Sequence, residues 1–195
     1  MKILNHIYKN YIVINTMFIK GIYEYYNYKK NKSPNRIYKK TSLLKNIYNL
    51  YTDPSKITNN IYIGNLVNAR DFYKLNELDV GLIVNCTLEI PNYFPEYLEY
   101  INVKIIDVEG ENIYKYLDTT VKKINDFIIK NPTKKVLVHC FAGASRSVSI
   151  VLGYLIKYKK MSFYDAIHLC KEKRDMVNVN IDFCNQLKQF EKLNE

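Results

Sequence analysis

The sequence predicts an α/β fold: a central, mainly parallel sheet of four or five strands flanked by helices. Three observations predict it. Short, near-continuous apolar runs such as Gly81 to Cys86 suit strands covered on both faces, the usual environment of a parallel sheet. Longer segments carry apolar residues at helical spacing, as in Ile113, Leu117, Val121, Ile124 and Ile128. The two kinds alternate along the chain, which is the pattern of strands joined by crossover helices.

The elements follow in order. Residues 1–41 are rich in Asn, Lys, Ile and Tyr and sustain neither a helical nor a strand period, so a composition-biased extension is expected there. Ser42 then reads as an N-cap ahead of Leu43, Leu44, Ile47, Leu50 and Tyr51, a short helix that Pro54 ends. We place the boundary of the folded domain at residue 56. Ile61-Tyr62-Ile63-Gly64 reads as a strand closing in a turn, and Ala69 to Leu78 as a short helix. Gly81 to Cys86 is the next strand, Pro91 to Pro95 a loop, and Tyr100 to Ile106 an alternating strand that ends at Asp107. The amphipathic helix from Ile113 stops at Pro132, and Lys135 to Val138 is a further apolar strand. From Ser147 to Tyr158 the chain is apolar nearly all round, so that helix should be central. Helices over Phe163 to Lys173 and Ile181 to Leu193 complete the domain.

Charge is distributed unevenly over the 195 residues, whose net formal charge is +10. Residues 1–56 hold 11 Lys and Arg against Glu24 and Asp53, a balance of +9, leaving 18 basic and 17 acidic residues in the rest. The basicity therefore belongs to the arm. A specific nucleic-acid role for the domain is not expected, whereas residues 1–41 would suit an acidic partner or an anionic membrane surface. Met1 to Ile22 is broken by Lys9, Asn10, Asn15 and Lys20 and has no small-residue cleavage motif, so no secretory signal is expected. Cys86, Cys140, Cys170 and Cys184 show no close pairing, which fits a reducing setting, cytoplasmic or nuclear. A metal set of His168, Cys170 and Cys184 fails, because residues two apart on a helix do not share a face.

The chemistry concentrates in His139-Cys140-Phe141-Ala142-Gly143-Ala144-Ser145-Arg146-Ser147. Between a strand and a helix, this stretch puts a cysteine at the strand's end and an arginine in the helix's first turn. A loop of that length can curl around one tetrahedral anion with its amides inward and the helix N-terminus behind it. Gly143 permits a positive φ or a close backbone approach. Arg146 offers a planar fork to two phosphate oxygens, and the same positive field favours Cys140 as thiolate.

These residues resemble the signature of cysteine-based protein phosphatases, and Cys140-Phe-Ala-Gly-Ala-Ser-Arg-Ser147 resembles the dual-specificity branch. The likeness spans about residues 56–193. It includes Ile61-Tyr62-Ile63-Gly64-Asn65, Gly81-Leu82-Ile83-Val84-Asn85, Asp107, and the closing pattern Arg174 to Asn180, Phe183, Gln186-Leu187 and Glu191. Val179 and Asp182 depart from it, standing where Pro and Gly are usual, and should alter a turn near the site.

The resemblance implies a phosphatase-like sheet, no metal or other cofactor, and the following roles. Cys140 is the nucleophile, Asp107 the general acid, and Arg146 with the backbone of Phe141, Ala142, Gly143, Ala144 and Ser145 holds the phosphate. Ser147 assists the departing thiolate, His139 fixes the loop and tunes Cys140, and Ser145 braces the loop. Glu109 and Glu111 lie near enough in sequence to compete with Asp107. Cys86 is either a packed core thiol or, as in some relatives, a disulfide partner for Cys140 under oxidation. No variable loop position is basic, which favours phosphotyrosine and phosphoserine or phosphothreonine in proteins over phosphoinositides. The rival readings are a lipid or RNA 5′-phosphatase guided by the arm, and a phosphoprotein-binding module without turnover.

Overall fold

The computed structural model describes residues 52–194. The extension and the helix expected near residues 42–51 lie outside the described residues. Five strands form one sheet: β1 (Ser55–Lys56), β2 (Ile61–Gly64), β3 (Val80–Asn85), β4 (Glu99–Asn102) and β5 (Lys135–His139), in the order β1-β2-β5-β3-β4. The pairs β2–β5, β3–β5 and β3–β4 are parallel, and β1 runs antiparallel to β2 at one edge. With only two residues beside Pro54, β1 carries no periodicity by which it could be anticipated.

Both faces of the central strands are covered. Leu82 and Val84 of β3 and Val136 and Val138 of β5 join the large core under the long helices. Ile83 and Leu137 point the other way, into a smaller cluster with Ala69 and Leu75. A side-chain period of two divides these apolar runs between the two cores.

Among the described residues six helices complete the layers: α1 (Leu66–Arg70), α2 (Phe72–Glu77), α3 (Tyr114–Lys130), α4 (Arg146–Lys159), α5 (Phe163–Lys173) and α6 (Ile181–Lys192). Helix α4 is central as expected, with every residue from Arg146 to Ile156 buried. Along α3 the apolar stripe buries Ile113, Leu117, Val121 and Ile124 fully, while Phe127 replaces the half-buried Ile128 at its end.

Two expectations are corrected. The single helix over Ala69 to Leu78 is instead two helices meeting at Asp71. The Asp71 carboxylate accepts from Lys74 N at 3.0 Å and so caps α2, a local bond that competes with helix continuation. The strand over Tyr100 to Ile106 ends at Asn102. Its partner β3 ends opposite at Asn85, and Cys86 turns to β5 by donating its N–H to His139 O at 2.9 Å. Val103 N still donates to Asn85 O at 2.8 Å, but residues 104–107, which keep the alternation with Ile105 buried, have no further β3 residue to pair with.

Strand β5, last in sequence, is inserted between β2 and β3. Its carboxyl end is therefore at the middle of the sheet, the position where open α/β sheets place their ligands.

Candidate active site

Cys140 follows β5 and Arg146 opens α4, so the intervening loop sits on the helix's positive end. Four carbonyls of this loop are taken from outside. Leu66 N donates to Phe141 O at 3.2 Å and Asn178 N to Ala144 O at 2.9 Å. Arg174 supplies the other two bonds, Nε to Gly143 O at 2.7 Å and Nη2 to Ala142 O at 3.2 Å. In a trans peptide the N–H points opposite to its C=O, so anchoring these carbonyls outward turns the amides of Ala142, Gly143, Ala144 and Ser145 inward. Gly143 N indeed donates to Cys140 Sγ at 3.2 Å.

Gly143 is required twice over. Its φ is +70°, and a Cβ there would lie 2.5 Å from both Gly64 O and Arg174 Nη2. Gly143→Ala is expected to cost about 1–3 kcal/mol of stability and to open the loop. Urea unfolding together with vanadate affinity checks this, and an alanine variant equal to the parent in both would refute it.

Cys140 is buried with 2% of its surface exposed. Burial pushes its thiol up, but the Arg146 charge, the Ser147 hydroxyl and N–H, and the Gly143 N–H outweigh it. Together they hold the thiol below its ordinary value. Ser147 Oγ donates to the sulfur at 3.3 Å. His139, immediately before, is driven down to about 4 by burial and is neutral at physiological pH. Uncharged, it acts on Cys140 through hydrogen bonding alone, and a bond with the Cys140 backbone partly offsets the effect of burial.

Arg146 is equally enclosed. Its Nη1 donates to Glu89 Oε1 at 2.8 Å and to Ile105 O at 3.4 Å, while its buried Nε has no partner among the described residues. Burial works against its charge, yet Cys140, Glu89 and Asp107 more than compensate, so the guanidinium stays protonated. Glu89 was not anticipated from sequence. Its loop is pre-built: Asn85 Nδ2 donates to Ile90 O at 2.7 Å, Thr87 Oγ1 to Asn85 Oδ1 at 2.7 Å, and Leu88 N to Glu89 Oε2 at 3.1 Å.

Of the three acidic candidates, Asp107 is the one bonded to the loop. Ser145 Oγ donates to Asp107 Oδ1 at 2.9 Å and accepts from Asn180 N at 3.2 Å. The Ser145 side chain therefore serves the Asp107 segment, leaving only its backbone for an anion. Glu109 is exposed, and Glu111 pairs with Lys115 at 3.4 Å.

Arg174, known from sequence only as part of the closing pattern, is also a site residue. Burial lowers it to about 10, still protonated at neutral pH, and its Nη1 reaches Ser55 Oγ on β1 at 3.2 Å. Cys86 sits at the end of β3 beside Cys140, fully buried and unbridged, with burial first and the Cys140 charge second pushing its thiol well up. Cys170 is a core thiol raised by burial to about 12.

Comparison with known proteins agrees with this geometry. The family described as dual specificity phosphatase, catalytic domain, matches residues 61–193. Protein phosphatase Slingshot of Drosophila melanogaster is 39% identical over 137 residues, which are 70% of this chain and 13% of that protein. Dual specificity protein phosphatase 21 of Homo sapiens is 34% identical over 137 residues, 70% of this chain and 71% of that protein. The crystal structure of human tyrosine phosphatase-like serine/threonine/tyrosine-interacting protein superposes with a TM-score of 0.67 at 26% identity, covering 72% of this chain and 97% of that one. The Slingshot match shows that this chain corresponds to a small part of some longer relatives. By motif, by sequence and by fold, the chain belongs to the dual specificity phosphatase catalytic-domain family.

Proposed function

We propose that the domain hydrolyses phosphotyrosine and phosphoserine or phosphothreonine in proteins through a phosphocysteine intermediate. The observation that carries this reading is a depressed-pKa thiol held by Gly143 N–H and Ser147 Oγ–H beside the Arg146 guanidinium, with Asp107 tied to the same loop.

The thiolate of Cys140 attacks phosphorus in line with the ester oxygen. The S–P bond forms as the P–O bond breaks, and protonated Asp107 delivers its proton to the departing oxygen. Arg146 Nε and the inward amides hold the equatorial oxygens, where charge gathers in a loose transition state. In the second step water attacks phosphorus and Asp107 takes its proton. The S–P bond then breaks, releasing inorganic phosphate, and the returning thiolate accepts hydrogen bonds from Ser147 and Gly143.

Substrate breadth follows from what surrounds the anion. Phe141, Ala142, Ala144 and Ser145 carry no positive charge for additional phosphate groups. A side-by-side assay of phosphotyrosine peptides, phosphoserine peptides and inositol phosphates tests the reading. Both peptide classes should turn over. Activity confined to inositol phosphates would overturn it.

A further inference from the structure

Asp182 departs from the family pattern, and its contacts give it a use. It is the second residue of α6, behind the N-cap Asn180, whose side chain accepts from Asp182 N at 2.9 Å. Its Oδ2 accepts from Gly110 N at 2.8 Å, a bond across 72 positions of sequence. Gly110 lies three residues beyond Asp107 and holds a φ of +82°.

One turn further along α6, Gln186 continues the attachment. Its Oε1 accepts from Ile113 N at 2.8 Å and Tyr114 N at 3.0 Å, and its Nε2 donates to Glu111 O at 2.9 Å. Residues four apart on a helix share a face, so Asp182 and Gln186 form one edge against which residues 110–114 lie. Upstream, residues 103–113 belong to no strand or helix, and Asp107 is exposed. The Ser145 bond holds the carboxyl itself, and the α6 edge holds the chain that follows it.

We propose that Asp182 is a positioning residue for the general acid, latching the 107–113 segment to α6 so that Asp107 is presented over the phosphate loop. The proposal rests on the reading of Asp107 as the acid. Asp182 touches neither Cys140 nor Arg146, and acts through Gly110. Losing the latch lets the segment sample arrangements in which the proton is out of reach, so the acid-dependent step slows in proportion to the time spent there.

Leaving-group chemistry makes the test selective. A serine alkoxide cannot leave without a proton, whereas para-nitrophenolate can. In the full chain, Asp182→Ala should lower kcat/KM on a phosphoserine peptide by about three- to tenfold and change kcat/KM on para-nitrophenyl phosphate, which ends at phenolate departure, by less than about twofold. Asp182→Asn keeps an acceptor oxygen for Gly110 N–H and should recover most of the loss. In an Asp107→Asn background, Asp182→Ala should have no further effect on the peptide. The near-parent kcat/KM on para-nitrophenyl phosphate also reports that α6 remains folded.

An equal fall on both substrates, an unchanged peptide rate, or a full additional loss on the Asp107→Asn background would overturn the latch. If Asp107→Asn itself spares the phosphoserine peptide, the acid assignment fails and the latch falls with it.

Discussion

Cys140→Ser is expected to reduce hydrolysis of para-nitrophenyl phosphate by at least about four orders of magnitude while leaving phosphopeptide binding intact. The surroundings of Cys140 suit a sulfur anion, with Gly143 N and Ser147 Oγ–H bonded to it and Arg146 near enough to depress its pKa. A serine hydroxyl remains protonated in the same field and is a poor nucleophile without a base beside it. The nearby histidine does not supply that base: His139 is buried, and its pKa of about 4 makes it a weak proton acceptor. The anion cradle persists in the variant, and removing the thiolate also removes its repulsion of phosphate. Binding should therefore equal or exceed that of the parent.

The parent protein should show the corresponding pH signature. The Cys140 pKa lies below the ordinary thiol value, so the thiolate dominates above that lowered pKa. As pH falls through it the sulfur takes up a proton, and kcat/KM falls with it. Residual activity in Cys140→Ser above about one part in a hundred, measured against a mock-purified control, would remove the phosphocysteine intermediate from the mechanism.

Arg146→Lys should reduce kcat by about two to four orders of magnitude although the charge is kept. The guanidinium performs two tasks on different edges. Nη1 is committed to Glu89 Oε1 and Ile105 O, and Nε remains for phosphate. An ammonium is one point of charge. If it stays with Glu89 it is withdrawn from the anion, and if it swings to the anion it leaves Glu89 and Ile105 O without their donor. Vanadate affinity should drop alongside kcat, because an equatorial oxyanion needs the same donor. A lysine variant within about threefold of the parent in kcat would show that charge alone, rather than the fork, does the work.

Much of this centre was legible from local sequence. Cys140 and Arg146 are six positions apart between a strand and a helix, and such spacing leaves little freedom in how a loop can run. Gly143 announces the positive φ that the loop indeed adopts. The apolar runs of β3 and β5 foretold a sheet covered on both faces, because period-two alternation is absent only where both faces are dry. Limits appeared where a segment's fate rests on a neighbour. Residues 103–107 have strand alternation yet no strand, since β3 ends opposite Asn102. The segment from Ala69 to Leu78 reads as one helix, yet the Asp71 side chain caps a separate helix within it.

Sequence by itself determined the candidate nucleophile, the signature loop around it and the class of sheet that presents them, because each follows from residues within one turn or one strand of another. Asp107 was named from the resemblance, but only the tertiary structure showed what bonds it to that loop and brought in Glu89 and Arg174. Glu89 meets Arg146 across 57 positions, Ser145 meets Asp107 across 38, and Arg174 reaches back 31 to Gly143 O. Contacts at such separations are set by how β3, β5 and α6 pack, and no short-range period in the chain encodes them.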